Sequence, residues 1–563
     1  MCDDSSNKNN LSRRNFLGSA LTLGAGTFIF DPVRALSEGI ADNLIMRAYA
    51  EASGTQISRN YINIQLAGAP LRYQFDQWLK INSAETLASV ATTGKLNPMI
   101  CNSFDFDSKG MATPAYRNFT YKNVLAPHLF SQSVYNSKGQ KRPLTELLDN
   151  MLIIRGYGSG LDGHQFNMVA QQSPIGGVST ITGLVAEATK TTFDAVQWPD
   201  RGANSAYFSS EGKAQSKVAG AKPLTTLMEG FGAPTNKGVR NLKASFKEAM
   251  ELAQARLKAY GRSENSGSKI VSQSLSNASD MMAKGVGNID GYWTAAVARY
   301  KAAIETSMRE INLPNISDKP LTSDETGQWV VGSGDLIKIS KTQDVREAIK
   351  SASLQNYAES LALAEYLIKE GLAYSIDIRG DALLALNITS VNAAGVVSNA
   401  SRNLALDMHA TGAASAILFM TSYYRGITAG LLELKDALGA HWQNTVVQIQ
   451  GDFGRTARSN GTGSDHGYNQ MVTSVFSGAF TNGPVVVGNI QRTGHSAAYD
   501  GTQGIAAAIS GYNQKGAPSP AMAASTVTAL LGVQHNPYQN TAAPLVELKN
   551  GVLRALATAK IVA

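Results

Sequence analysis

The sequence predicts an α/β protein of three layers, built on a mainly parallel sheet and carrying a helical insertion. Two observations lead there. Short β-branched runs alternate with amphipathic helical stretches, the signature of strand–helix–strand units. Several of those runs end in glycine-rich polar loops, and an open α/β sheet binds its ligands outside the carboxyl ends of its strands. The chain has 563 residues, of which 43% are hydrophobic and 17% charged, so it can bury a sizeable core and is not of disordered composition.

The first segment reads as an address. Ser12-Arg13-Arg14-Asn15-Phe16-Leu17 is a twin-arginine signature, followed by an uncharged apolar run from Leu17 to Phe30 and a small-residue cleavage site after Ala35. The run is shorter than the ~20 residues a membrane span needs. Residues 1–35 are therefore expected to be a signal peptide, and 36–563 a mature chain with no stable transmembrane segment, exported by the twin-arginine pathway to the periplasm or beyond. Cys2 leaves with the signal and Cys101 stays as a structural cysteine, so no intrachain disulfide is expected. The net charge of +7 comes from 50 basic and 43 acidic residues without a dense basic cluster past the N-terminus, which argues against nucleic acid as a partner. A mild positive balance either helps attract anionic ligands or is an ordinary mixed surface.

In chain order, Asp42 to Ala52 reads as a short helix and Arg59 to Leu66 as the first strand. Cys101 to Arg142 reads as irregular chain or antiparallel hairpins, with Asp105 and Asp107 a turn pair. Leu144 to Asn150 ends a helix, and Met151 to Arg155 is a buried strand feeding the glycine-rich loop Gly156 to His164. A helical run ends at Ala188. Residues 223–313 form the helical insertion or cap, with apolar residues at three-and-four spacing over Leu242 to Tyr260 and Trp293 to Ile311. Ser353 to Gly371 is an amphipathic helix, Leu372 to Ile378 a strand, and Ala413 to Leu438 a long helix. Thr445-Val446-Val447-Gln448-Ile449 is a buried strand that opens into a charged loop running to Gly467, and Ala521 to Gly532 is the final helix.

Chemistry concentrates in the loops. Of seven histidines, His164, His409, His466 and His495 lie in glycine-rich or acid-containing segments. Asp407 and His409, two apart in extended chain, project to the same side and can share one cation, with His466 beside Asp465 completing a three-ligand site. Each Asp-His pair can equally be a plain hydrogen-bonded pair. A divalent ion suits these N and O donors: zinc first, with manganese or calcium as alternatives. Arg455 either clamps a phosphate or sulfate oxygen or bridges the Asp452 carboxylate. Ser159, a nucleophile candidate or a simple turn residue, shares its loop with His164; both join Arg455 as candidate catalytic residues.

Taken together, Ser12 to Leu17, Asp407-Met408-His409, Gly451-Asp452-Phe453-Gly454-Arg455-Thr456, Asn460-Gly461 and Ser464-Asp465-His466-Gly467 resemble the bacterial "domain of unknown function 1501" family. That family reads S-R-R-x-F-L, then D-T-H, then S-E-F-G-R-T and G-x-D-H, and is placed in the alkaline-phosphatase-like and sulfatase-like superfamily. The resemblance implies an alkaline-phosphatase-like fold. Asp407 and His409 would share one metal site, Asp452 would be a strand-end metal carboxylate, and His466, next to Asp465, would close the first site. Three departures stand out: no acid follows the first strand until Asp76, Phe453 sits where superfamily enzymes carry histidine, and no serine or threonine nucleophile has a clear motif. The expected function is a periplasmic metal-dependent hydrolase-like protein acting on a small phosphate or sulfate ester. The alternative is a catalytically degenerate member that binds an envelope protein partner as a scaffold.

Overall fold

The computed structural model describes residues 59–562, apart from 88–93, 201–205, 230–288, 311–328, 331–337, 340–346, 392–396, 492–502, 510–515 and shorter breaks. The expected signal, the helices at Asp42 to Ala52 and Leu242 to Tyr260, and His495 lie outside the described residues. In chain order the elements that matter below are β1 (Asn60–Leu66), β2 (Met151–Tyr157), α1 (His164–Gln172), α2 (Ile181–Ala188), β3 (Ala195–Trp198) and β4 (Gln215–Lys217). Then come α3 (Ile289–Arg309), α4 (Tyr357–Lys369), β5 (Ser375–Arg379), β6 (Leu383–Val391), β7 (Val397–Ala405) and α5 (Ala413–Leu438). The last group is β8 (Thr445–Gly451), β9 (Gly454–Ala457), β10 (Ser464–Gly467), β11 (Met471–Phe476), β12 (Val485–Val487), β13 (Asn489–Gln491) and α6 (Pro520–Leu531).

Eight strands form the central sheet in the order β4-β3-β5-β1-β8-β11-β2-β12. All run parallel to their neighbours except β11, which is antiparallel to both β8 and β2. The period of two splits the strand side chains between two cores. Ile62, Ile64, Val447, Ile449, Ile376 and Ile378 face one, which also takes Tyr300 and Ile304 of α3, Leu361 of α4 and Phe419 of α5. Tyr61, Val446, Leu152 and Ile154 face the other, together with Val185 of α2 and Val527 of α6.

A buried polar row fixes the register of the middle strands. Tyr61 donates to Gln448 Oε1 (2.6 Å), Gln448 Nε2 to Gln450 Oε1 (3.1 Å), Gln450 Nε2 to Asn63 Oδ1 (2.9 Å) and Asn63 Nδ2 to Asp377 Oδ1 (2.8 Å). Thr182 and Gln215 donate to the same Asp377 carboxylate. A slip of one residue would turn this row to the other face and leave its members unpaired.

On one face α3 lies against α5, whose glycines permit the approach. A Cβ on Gly426 would fall 2.7 Å from Met308 Cγ, and one on Gly430 2.7 Å from Leu361 Cδ1. The C-terminal end of the expected insertion is thus built into the core. Cys101 to Arg142 forms three antiparallel hairpins, and Asp105 is ion-paired with Arg117 at the surface.

Two sequence expectations are corrected, and one hairpin was not foreseen. The helix expected from Ser353 starts at Tyr357, because Ser353–Leu354 pairs with β6 and Asn356 adopts a left-handed conformation, φ +62°, that breaks the chain before the helix. The hairpin β6–β7, with nine residues in each strand, went unread. Its signal was the alternation of Leu384, Leu386 and Ile388 with Ala385, Asn387 and Thr389. The loop expected to hold His164 ends one residue earlier, since His164 opens α1. No described helix is long and apolar enough to cross a membrane.

Candidate metal centre

The centre is assembled at the carboxyl ends of β1, β2 and β8. β1 ends in a turn with Gly68 at φ +85° and Ala69 at φ +46°, which aims the Gly68 amide and both carbonyls at the chain leaving β8. Gly68 N–H donates to Asp452 Oδ2 at 2.9 Å, and the Gly68 and Ala69 carbonyls accept from the Arg455 guanidinium at 2.9 and 2.7 Å.

The charged loop folds into the hairpin β9–β10, which sets Arg455 directly opposite His466 and Thr456 opposite Asp465. Glycine is required at its base: a Cβ on Gly454 would stand 2.0 Å from the Gln470 carbonyl oxygen, and one on Gly467 2.8 Å from the Gly454 carbonyl carbon. Ser464 ties the hairpin to the turn that follows β7, its N–H and hydroxyl both donating to Met408 O at 3.2 and 2.9 Å. In that turn the His409 N–H donates to Asp407 O at 3.0 Å. Asp407 and His409 therefore share a side because of a tight turn, not because of extended chain.

The third contribution comes from the loop after β2. Asn167 donates to the carbonyls of Leu161 (2.8 Å) and Gly163 (2.9 Å), bracing the loop from α1. Gln171 anchors the same helix to the end of β8 by donating to Gly451 O and to Asp452 O, the latter at 3.0 Å. His164 is thereby carried in beside residues more than 240 positions away.

Three imidazoles converge with one orientation. His164 places Nδ1 2.6 Å from Asp452 Oδ2 and Nε2 3.2 Å from Asp407 Oδ2. His466 places Nδ1 2.7 Å from Asp162 Oδ1 and Nε2 3.1 Å from His409 Nε2. His409 places Nδ1 3.5 Å from Asp465 Oδ1 and Nε2 3.1 Å from Asp407 Oδ1. Each ring has a carboxylate behind it and turns Nε2 inward, toward its neighbours and the two oxygens of Asp407. Arg455 ion-pairs with Asp407 Oδ1. Phe453 packs on the rings of His466 and His164, with centroids 4.4 and 4.7 Å apart, shielding the cluster from one side.

Burial and charge oppose one another across the cluster. Burial pulls the His164 pKa down, but hydrogen bonds and charge from Asp407 and Asp452 outweigh it and raise it to about 9. Burial pushes Asp407 up, while His164 and Arg455 override that and hold it well below the usual carboxylate range. Burial, joined by Arg455 and His466, lowers His409 despite Asp407 and Asp465.

Every described residue expected in a metal site is in this cluster, but the roles differ. His164, Asp407 and His466 bring ligand atoms within 4.8 Å of one another, as do His409, Asp465 and His466. Asp452 and Asp465 stand behind histidines, and Asp162, which carried no sequence signal beyond its glycine-rich loop, is their counterpart on His466. Arg455 pairs with Asp407, not with Asp452. The Ser159 hydroxyl donates to Asn167 Oδ1 and accepts from Leu161 N–H at 3.1 Å, so it braces the loop. Asp76, the first acid after β1, is buried in an ion pair with Arg72 and accepts from Ser474.

Residues 394–505, which include β7, α5, β8 and the β9–β10 hairpin, match the family described as "Protein of unknown function (DUF1501)". This supports the likeness drawn from the motifs. No curated protein and no solved structure matches the chain.

Proposed function

We propose that this protein is an exported, metal-dependent hydrolase-like protein acting on small phosphate or sulfate esters, with an alkaline-phosphatase-like three-layer fold. The observation that carries the proposal is the common orientation of the three histidines. A carboxylate on Nδ1 fixes the tautomer and ring direction of a metal-binding imidazole and leaves Nε2 as the donor. His164 and His466 meet that condition at 2.6 and 2.7 Å, and His409 has the Asp465 carboxylate 3.5 Å from its Nδ1, with Asp407 supplying oxygen between them.

The spacing fits. Two donors on one tetrahedral zinc, each about 2.0–2.1 Å from the ion, lie about 3.3–3.4 Å apart. The pairs His409–His466, His409–Asp407 and His164–Asp407 lie at 3.1, 3.1 and 3.2 Å. When bound, a divalent ion supplies Lewis acidity, polarising an ester oxygen and acidifying water. The chain's own part is to hold the donors. Arg455, buried between Asp407 and the β1 turn, holds that carboxylate ionised and in place, and Phe453 keeps water off the histidine rings. The twin-arginine signature and the mainly parallel sheet with acid-imidazole loops at its carboxyl ends support the export and fold parts of the reading.

Elemental analysis of purified, metal-reconstituted protein beside Asp407→Ala and His466→Ala is the test. The expected result is a divalent ion in the wild type, its loss in both variants, and cleavage within a panel of phosphate and sulfate esters by the wild type alone. Equal metal content in all three proteins overturns the site, and metal binding without any cleavage overturns the hydrolase part.

A second reading rests on a separate observation. Arg455 is engaged by Asp407 and two backbone carbonyls, and Ser159 by Asn167, so neither is poised toward an ester. A metal-binding but catalytically silent envelope protein would look like this. Loaded protein that cleaves nothing and co-purifies in stoichiometric amount with an envelope protein favours it.

A further inference from the structure

Arg155 lies on β2, two residues before its end and upstream of the loop that carries Asp162 and leads to His164, and is wholly buried. Among the described residues its side chain makes one hydrogen bond, a long one from Nε to Gly488 O at 3.4 Å, and neither terminal guanidinium nitrogen has a partner. The other buried arginines behave differently. Arg72 is paired with Asp76, Arg455 with Asp407, and Arg425 donates to Ser307 O and Gln132 Oε1. No carboxylate among the described residues forms an ion pair with Arg155, although Glu85 and the Tyr116 hydroxyl lie within electrostatic range. Burial lowers its pKa to about 10, which still leaves it cationic at neutral pH.

A buried, unpaired guanidinium is destabilising, so charges in this position are met by a counter-charge. We propose that Arg155 binds a compact monovalent anion of halide or formate size, independently of the metal centre. The anion neutralises the carboxyl end of β2 and so stiffens the strand that delivers His164.

The test uses the full chain in halide-free buffer, with bromide added at constant ionic strength. Expected are a thermal midpoint that rises and saturates with bromide in the wild type and in Asp407→Ala, no such rise in Arg155→Met, and an anomalous bromide peak within hydrogen-bond distance of the Arg155 guanidinium in crystals. Water alone at that position, or an equal bromide response in Arg155→Met, overturns the proposal. Should Arg155→Met not fold, Arg155→Gln and the crystal peak decide. Because Asp407→Ala removes the metal ligand but not Arg155, failure here is distinguishable from failure of the metal centre.

Discussion

Asp452 Oδ2 stands 2.6 Å from His164 Nδ1, while Asp452 Oδ1, equally buried, has no protein partner. The carboxylate is spent on orienting an imidazole that arrives from 288 residues away, with the Gly68 amide holding it from the other side. In the proposed centre, a carboxylate in that position would act on a bound metal through the histidine.

It follows that Asp452→Asn keeps the fold and the ligand set but weakens metal binding by about 10–100-fold, the usual effect of removing such a partner. Competition with a chelator of known affinity measures it. An Asp452→Asn protein with wild-type affinity would return Asp452 to a role outside the centre.

Gly454→Ala strikes the site through the backbone. Its Cβ would meet the Gln470 carbonyl oxygen at 2.0 Å, which neither strand can yield without opening the β9–β10 hairpin. A loss of about 1–3 kcal/mol in urea unfolding is expected, typical of overpacking, together with loss of metal. Gly176→Ala, where a Cβ would meet nothing within 4 Å and the backbone lies outside the left-handed region, is the control.

Glu187 gives a pH signature remote from the centre. Burial raises its pKa, but the hydroxyls of Ser209, Ser179 and Ser210 and the Glu211 N–H outweigh that and lower it overall. A depressed folded-state pKa contributes stability above the unfolded value of 4.5, and that stability is lost as pH falls through the folded value. Glu187→Gln should therefore melt below the wild type at pH 7, with the gap closing as the pH drops below about 4.5. A gap that does not change with pH would mean the serines hold no charge.

Cys101 should be inert in the native protein. Burial, helped by Asp105, pushes its thiol up to about 12, so thiolate is scarce at pH 8 and the sulfur is covered. Thiol-reagent kinetics should show reaction only on unfolding, and prompt labelling of the native chain would contradict the burial.

Much of the scaffold was legible beforehand. The strands at β1, β2, β5 and β8 were readable because β-branched residues in short runs have few other places to go in an α/β chain. The long helix α5 was bounded correctly at both ends by its apolar periodicity. The β6–β7 hairpin was missed although Leu384 to Thr389 of β6 alternates, because β7 carries Ser and Asn and lacks the apolar alternation that would mark a partner strand.

For the site, the sequence by itself determined which side chains are at hand: Asp407 with His409, Asp452 with Arg455, Asp465 with His466, and His164 at the end of a glycine-rich loop. Local spacing can put two such groups side by side, as the turn from Asp407 to His409 does. Only the tertiary structure decided which of them are donors and which stand behind, because that depends on contacts across hundreds of residues: Asp162 behind His466, Asp452 behind His164. The physical reason is that a carboxylate has the same acceptor chemistry wherever it falls in the chain. What separates a ligand from the group that orients a ligand is direction, and direction is set by the strand ends and turns that the fold brings together.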